Sequence, residues 1–207
     1  SSAASDVYKR QEYIRAMATI AIAFGCASDH SWLVPILCPK RYKEMCDPLF
    51  NGFLEKVRIL NLGFGTGALS GFLCSKLNSE YEQRIDLESV EYSKPMCDVI
   101  LRNSKTLEFP RFPNEIIHEC SAERYLEEEL ERLSSKGYHR LNKQGFSCVF
   151  LDCYDGQGLI PKRCLEKSFI QNIYDCLEKT RGGILVCNCW SGNLKALAEF
   201  RETLSSV

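Results

Sequence analysis

A β-favouring run in this chain leads into a glycine-rich turn and then into a helical pattern. The run covers residues 57–62, the turn holds Gly63, Gly65 and Gly67, and the helical pattern covers residues 68–77. Glycine has no Cβ, so the backbone can approach a nucleotide closely, and a helix amino terminus favours polar ligand groups. A tight turn alone would also need glycine, and the spacing lacks the last glycine of the dinucleotide fingerprint and the Lys-Ser/Thr pair of a phosphate loop. In its strand–turn–helix setting, the motif predicts nucleotide binding.

Strand and helix patterns alternate along the rest of the chain. The predicted strands are residues 57–62, 85–90, 115–119, 147–151 and 184–189, and the predicted helices are residues 68–77, 95–103, 121–134, 165–179 and a last one from about 192. This alternation is typical of a parallel sheet with right-handed crossovers, and the nearly continuous apolar strands indicate burial on both faces. We therefore predict an α/β fold, a Rossmann-like, doubly wound, mainly parallel sheet with helices on both faces.

The chain divides into three predicted parts. Residues 1–11 fit no patterned element and are interpreted as a non-native leader. Residues 12–56 are predicted to be an N-terminal helix and loop segment, and residues 57–207 the Rossmann-like domain. The first methionine, Met17, lies inside a helical pattern, and the chain stops after a helix where such sheets often have further strands. We therefore expect a truncation at both ends.

Composition excludes several classes of protein. Of the 207 residues, 26 are Lys or Arg and 27 are Asp or Glu, so a net charge of −1 gives no electrostatic basis for binding nucleic acid. No apolar run reaches the roughly 18 residues that a membrane span needs. We expect neither nucleic acid nor a membrane as a partner.

Twelve cysteines are many for a chain of this length. A secreted disulfide framework and a zinc site are two interpretations, but the chain is long and well patterned for a disulfide scaffold and has no C-x-x-C pair. We favour reduced cysteines that act as small core hydrophobes. This interpretation predicts a reducing, cytoplasmic location and no metal site.

Candidate binding residues follow the second and fourth predicted strands. Glu91 ends the second strand, where an acid accepts hydrogen bonds from ribose hydroxyls, and Tyr92 is placed to stack on the nucleoside. The alternatives are a solvated carboxylate and a packing tyrosine. Asp152 and Asp155 follow the fourth strand, where both acids can face the ligand crevice, hold an amine substrate and accept its proton. The alternative is that they only shape a turn.

Two segments resemble a known family. The sequence N-L-G-F-G-T-G-A at residues 61–68 resembles the first motif of class I S-adenosylmethionine-dependent methyltransferases. The more specific stretch F-L-D-C-Y-D-G-Q-G-L-I-P at residues 150–161, with Lys-Ser-Phe at 167–169 and Gly-Gly at 182–183, resembles spermidine synthase-like proteins of that superfamily. The resemblance covers about residues 12–190.

The resemblance implies S-adenosylmethionine, or its decarboxylated form, as cofactor. The site residues that it implies are Gly63, Gly65 and Gly67 beside the methionine and ribose, Glu91 on the ribose diol, Ser121 and Ala122 beside the adenine, Asp152 between the cofactor and the reacting amine, and Asp155 at the far end of a polyamine. Asp152 and Asp155 would be the catalytic acids. The acceptor would carry an amine, on a protein or a small molecule. Members of this family are often homodimers, but the sequence leaves the oligomeric state open.

The chain departs from the family at several positions. Three positions lack an expected acid: polyamine synthases have one where this chain has Thr66, methyltransferases have one at Asn61, and the family has one at Ser121. In addition, Arg15 lies where a diamine pocket is expected. A cation there would repel a polyamine. These departures weaken aminopropyl transfer more than cofactor binding, so we favour a methyltransferase. The alternatives are an aminopropyltransferase that makes polyamines and a cofactor-binding protein whose catalysis has decayed.

Overall fold

A computed structural model describes residues 16–17, 57–76, 85–102, 114–135, 144–155, 159–179, 182–188 and 194–207. Strands and helices alternate along these residues. The strands are β1 (Val57–Leu62), β2 (Ile85–Glu91), β3 (Ile116–Glu119), β4 (Cys148–Leu151) and β5 (Ile184–Cys187). The helices are α1 (Ala68–Lys76), α2 (Lys94–Arg102), α3 (Ala122–Ser134), α4 (Lys167–Cys176) and α5 (Leu194–Ser205), and a short 3-10 helix at Lys162–Leu165 precedes α4.

The five strands form one parallel sheet in the order β3-β2-β1-β4-β5. β1 pairs with β2 on one side and with β4 on the other, in parallel register. The strand order therefore reverses between β1 and β4, and the carboxyl ends of all five strands lie at one edge. In open sheets of this kind, ligands bind outside that edge at the point of reversal. The predicted Rossmann-like, doubly wound fold is confirmed.

Both faces of the sheet are covered, which explains the apolar character of the strands. One core packs α3, α4 and α5 against the sheet and includes Leu60, Leu62, Val90, Tyr125, Leu126, Val149, Leu151, Phe169, Ile170, Ile173 and Phe200. The other core packs α1 and the helical residue Met17 against the opposite face and includes Val57, Ile59, Leu69, Ile85, Leu87, Cys148, Phe150 and Val186.

A polar cluster interrupts the first of these cores. The guanidinium of Arg58 donates to Glu88 at 2.6 Å and to Glu129 at 2.7 Å, and so joins β1 to β2 and α3. Tyr125 also donates its hydroxyl to Glu88 at 2.7 Å, and His118 lies 3.1 Å from the same carboxylate. Because each carboxylate meets several donors, the cluster can remain charged inside the core.

Several predictions lie outside the described residues. They are the leader at residues 1–11, the segment at residues 12–56 apart from the helical Ala16 and Met17, the ends of predicted elements at residues 77, 103, 189 and 192–193, and residues 156–158 of the stretch at 150–161. The division of the chain into parts stays a prediction. The eight cysteines in the described ranges have free thiols. No helix within these ranges has the length and apolar character to cross a membrane.

The polar cluster gives an expected acid dependence of stability. Burial alone would raise the pKa of Glu88, but hydrogen bonds with His118, Tyr125 and Arg58 and the charge of Arg58 lower it to about 2 from the ordinary 4.5. The ionised carboxylate of Glu88 therefore contributes its full stabilisation of the folded state above pH 4.5, and this contribution is lost as the pH falls from 4.5 towards 2. At neutral pH the contribution to the free energy of unfolding is roughly 3 kcal/mol.

We expect Glu88→Gln to lower the free energy of unfolding at pH 7 and to flatten its decline in acid. Urea unfolding at several pH values between 7 and 2.5 measures both effects. Glu127→Gln, at an exposed position on α3, is the matched control and should keep the wild-type acid dependence. An equally steep acid decline in Glu88→Gln would contradict the assignment.

Candidate active site

The glycine turn after β1 has a backbone that only glycine adopts readily. Gly63, Gly65 and Gly67 have φ values of +98°, +55° and +77°. A Cβ on Gly63 would lie 2.3 Å from the carbonyl oxygen of Asp152, and one on Gly67 would lie 2.8 Å from the ring of Phe64. A Cβ on Gly65 would meet nothing within 4 Å. The first and last glycines are therefore required by packing, whereas Gly65 borders open space.

Backbone hydrogen bonds fix this turn to the neighbouring strands. The N–H groups of Gly63 and Phe64 both donate to the carbonyl of Val90 on β2, each at 3.0 Å. On the other side, Asp152 N donates to the carbonyl of Leu62 at 2.8 Å. The end of β1 is thus held between the ends of β2 and β4.

Glu91 joins the end of β2 to the glycine turn. Its Oε2 accepts from Gly65 N at 3.0 Å, and its Oε1 accepts from Ser93 N at 2.8 Å. A carboxylate has about four acceptor positions, so these two bonds leave capacity for hydroxyl donors. The structure places Glu91 beside the turn; its predicted contact with a ribose stays a prediction.

The other predicted nucleotide contacts lie after β2 and β3. Tyr92 is 80% exposed, unusually so for a large aromatic side chain. Ser121 caps α3, its hydroxyl accepting from Arg124 N at 3.3 Å, and Ala122 is buried in the core. The side chains of Ser121 and Ala122 are thus engaged in the fold, and their predicted contact with the adenine stays a prediction.

Asp152 immediately follows β4, and Asn188 immediately follows β5. The amide of Asn188 donates to Asp152 Oδ1 at 2.8 Å. Asn188 also accepts at its own carbonyl from the hydroxyl of Tyr154, at 2.6 Å. Sequence reasoning missed Asn188 because the predicted fifth strand extended past it; a strand ending at Cys187 would have placed it at the crevice edge by the same rule as Asp152.

Asp155 closes a local turn. Its Oδ1 accepts from Leu159 N at 2.9 Å, and its own N–H donates to the carbonyl of Leu159 at 2.8 Å. The residue is exposed. The structure therefore brings Asp152 against the glycine turn, whereas the contacts of Asp155 with Leu159 are those of a turn-forming residue.

Asn61 is a buried polar residue of β1, two positions before the turn. Its side chain is 1% exposed, and neither Oδ1 nor Nδ2 has a hydrogen-bond partner among the described residues. An unpaired buried amide is rare and usually has a functional or solvent explanation. The sequence singled out this position only as a departure from the methyltransferase pattern.

Comparison with known proteins connects this geometry to solved structures. No protein-family model and no curated protein matches the sequence. Human methyltransferase-like protein 13 in complex with SAH is similar, with a TM-score of 0.56, 17% identity and coverage of 73% of this chain and 63% of that one. A spermidine synthase in complex with the transition-state analogue AdoDATO gives a TM-score of 0.53 at 15% identity, with coverage of 75% and 48%.

The chain has the Rossmann-like fold of the class I methyltransferases. It spans less than two thirds of the length of either of these two proteins. At this level of identity, the likeness shows the fold alone.

Alanine substitutions at Gly63 and Gly65 should differ in their effect on stability. Gly63→Ala should destabilise the protein by about 3 kcal/mol or more, because a Cβ would lie 2.3 Å from a backbone oxygen and alanine is also strained at a φ of +98°. Gly65→Ala meets no atom and should cost only the roughly 1–2 kcal/mol of a left-handed alanine. Chemical denaturation of both variants measures the difference. Equal losses would contradict the assigned packing.

Proposed function

We propose that this chain is an S-adenosylmethionine-dependent transferase of the spermidine synthase-like type, and that it transfers a methyl group. The observation that carries the proposal is the 3.0 Å hydrogen bond from Gly65 N to Glu91 Oε2, beside Asp152 at the strand-order reversal. This hydrogen bond joins Gly65, where a Cβ would meet no atom within 4 Å, to a carboxylate that can accept further hydrogen bonds. This is the arrangement that a nucleoside cofactor needs.

The cofactor side is formed by the ends of β1 and β2. Glu91 would accept from the two ribose hydroxyls, and Gly65 would allow close approach because its missing Cβ would point into open space. The unpaired amide of Asn61 offers a donor and an acceptor to the polar methionine end. The exposed ring of Tyr92 would flank the adenosine. These residues fit the cofactor.

The acceptor side is formed by the end of β4. When bound, S-adenosylmethionine supplies a methyl group whose bond to the sulfonium sulfur breaks on transfer, which leaves a neutral thioether. Asp152 would hold the acceptor amine by a charge-assisted hydrogen bond and accept the proton that the amine loses as its new bond to the methyl carbon forms. Catalysis would rest on orientation of the amine rather than on a covalent residue.

An aminopropyltransferase is the second candidate, since the same fold occurs in a spermidine synthase. Two observations favour methyl transfer instead. Thr66 is exposed on the turn where polyamine synthases carry an acid, so no negative charge there would reject a cofactor carboxylate. Asp155, the acid expected at the far end of a polyamine, is bonded to its own loop.

Calorimetric titration with S-adenosylmethionine and with its decarboxylated analogue tests the proposal. We expect tighter binding of the carboxylated form, since position 66 has no acid to repel it. Glu91→Ala should weaken that binding by about tenfold or more, because it removes acceptors for the ribose. Preference for the decarboxylated form would select aminopropyl transfer, and binding without turnover on any amine would select a decayed enzyme.

Asp155→Ala tests the acceptor side. If Asp155 only closes its loop, the variant should lose about 1 kcal/mol of stability and keep its cofactor affinity and its turnover with amine acceptors. Asp152→Asn is the paired variant, with a similar shape and no charge, and should lose turnover. Denaturation and methyl-transfer assays on a panel of amines measure the two effects. A large loss of acceptor affinity in Asp155→Ala would restore a polyamine-binding role.

A further inference from the structure

Asn188 meets the carboxylate of Asp152 from the adjacent strand. Leu151 and Cys187 are paired in the parallel register of β4 and β5, so the next residue of each strand lies at the same level of the sheet edge. There, Asn188 Nδ2 donates to Asp152 Oδ1 at 2.8 Å. We propose that Asn188 is the positioning residue that aims the carboxylate of Asp152 at the transferred group; this inference rests on the proposed function.

Asn188 is itself held at two further points. Its N–H donates to the carbonyl of Leu151 at 2.9 Å, and its carbonyl accepts from the hydroxyl of Tyr154 at 2.6 Å. Asp152 is anchored through its own N–H to the carbonyl of Leu62 at 2.8 Å. The backbone of Asp152 is therefore held to β1, and its carboxylate accepts from a residue whose own backbone is held to β4 and to Tyr154.

The chemistry of the donor matters as much as its position. A side-chain amide carries no charge, so it orients a carboxylate without forming an ion pair with it. A lysine or arginine at the same place would compete with a cationic acceptor. Asn188 thus adds no positive charge that would compete with a cationic acceptor for Asp152, while it restricts the directions in which the carboxylate points.

Two cofactor analogues test the positioning role of Asn188, and the test does not require that the acceptor be known. S-adenosylhomocysteine lacks the transferred methyl, and sinefungin carries an amine at that position. The wild-type protein should bind sinefungin about tenfold more tightly, because Asp152 faces the added ammonium. Asn188→Leu, of similar size and without a donor, should reduce that preference to about threefold or less, with S-adenosylhomocysteine affinity nearly unchanged. Asn114→Leu, at an exposed turn position, is the matched control and should keep the wild-type preference.

A double-mutant cycle separates positioning from general support of the fold. If Asn188 acts through Asp152, Asn188→Leu should have no further effect on the preference in an Asp152→Asn background. Asn188→Ser, which is shorter and less apolar, repeats the test if the leucine variant folds poorly. Equal weakening of both analogues by Asn188→Leu, or equal wild-type affinity for them, overturns the inference and leaves the proposed function standing. Binding of neither analogue by the wild type overturns the proposed function, and this inference with it.

Discussion

The contact between Gly63 and the backbone of Asp152 is the constraint on which the site depends. A Cβ at position 63 would lie 2.3 Å from the Asp152 carbonyl oxygen, so the loops after β1 and β4 touch without an intervening side chain. This closeness follows from the parallel pairing of β1 with β4. It brings the glycine turn, and with it the hydrogen bond from Gly65 to Glu91, next to the acid on β4. The residues proposed to bind the cofactor and the residue proposed to bind the acceptor therefore meet at this contact.

The fold could be predicted because its main signals are local. Strand–helix alternation and apolar strands specify a parallel sheet covered on both faces, and five strands were placed within a few residues of their observed bounds. The predicted strand bounds differ from the observed ones at residues with distant contacts. Glu115 was assigned to β3 but lies just before that strand, and its buried carboxylate accepts from the hydroxyls of Ser70 and Ser89 at 2.6 and 2.5 Å. The local sequence pattern does not indicate such distant partners.

The candidate site was predictable to the extent that its residues follow strands. Glu91 and Asp152 were found by that rule, and the structure places both beside the glycine turn. Asn188 was missed because the predicted β5 ended two residues after the observed one. The partners of Arg58, Glu88 and Glu129, could not be predicted because they lie 30 and 71 residues away, and their contact depends on how β2 and α3 pack.

The unpaired amide of Asn61 has a consequence for the energetics of the unliganded protein. A buried amide without partners carries a desolvation cost of roughly 1–3 kcal/mol. A ligand that hydrogen-bonds to it removes that cost, so its binding free energy contains the relief of an unfavourable state of the protein as well as the new contact.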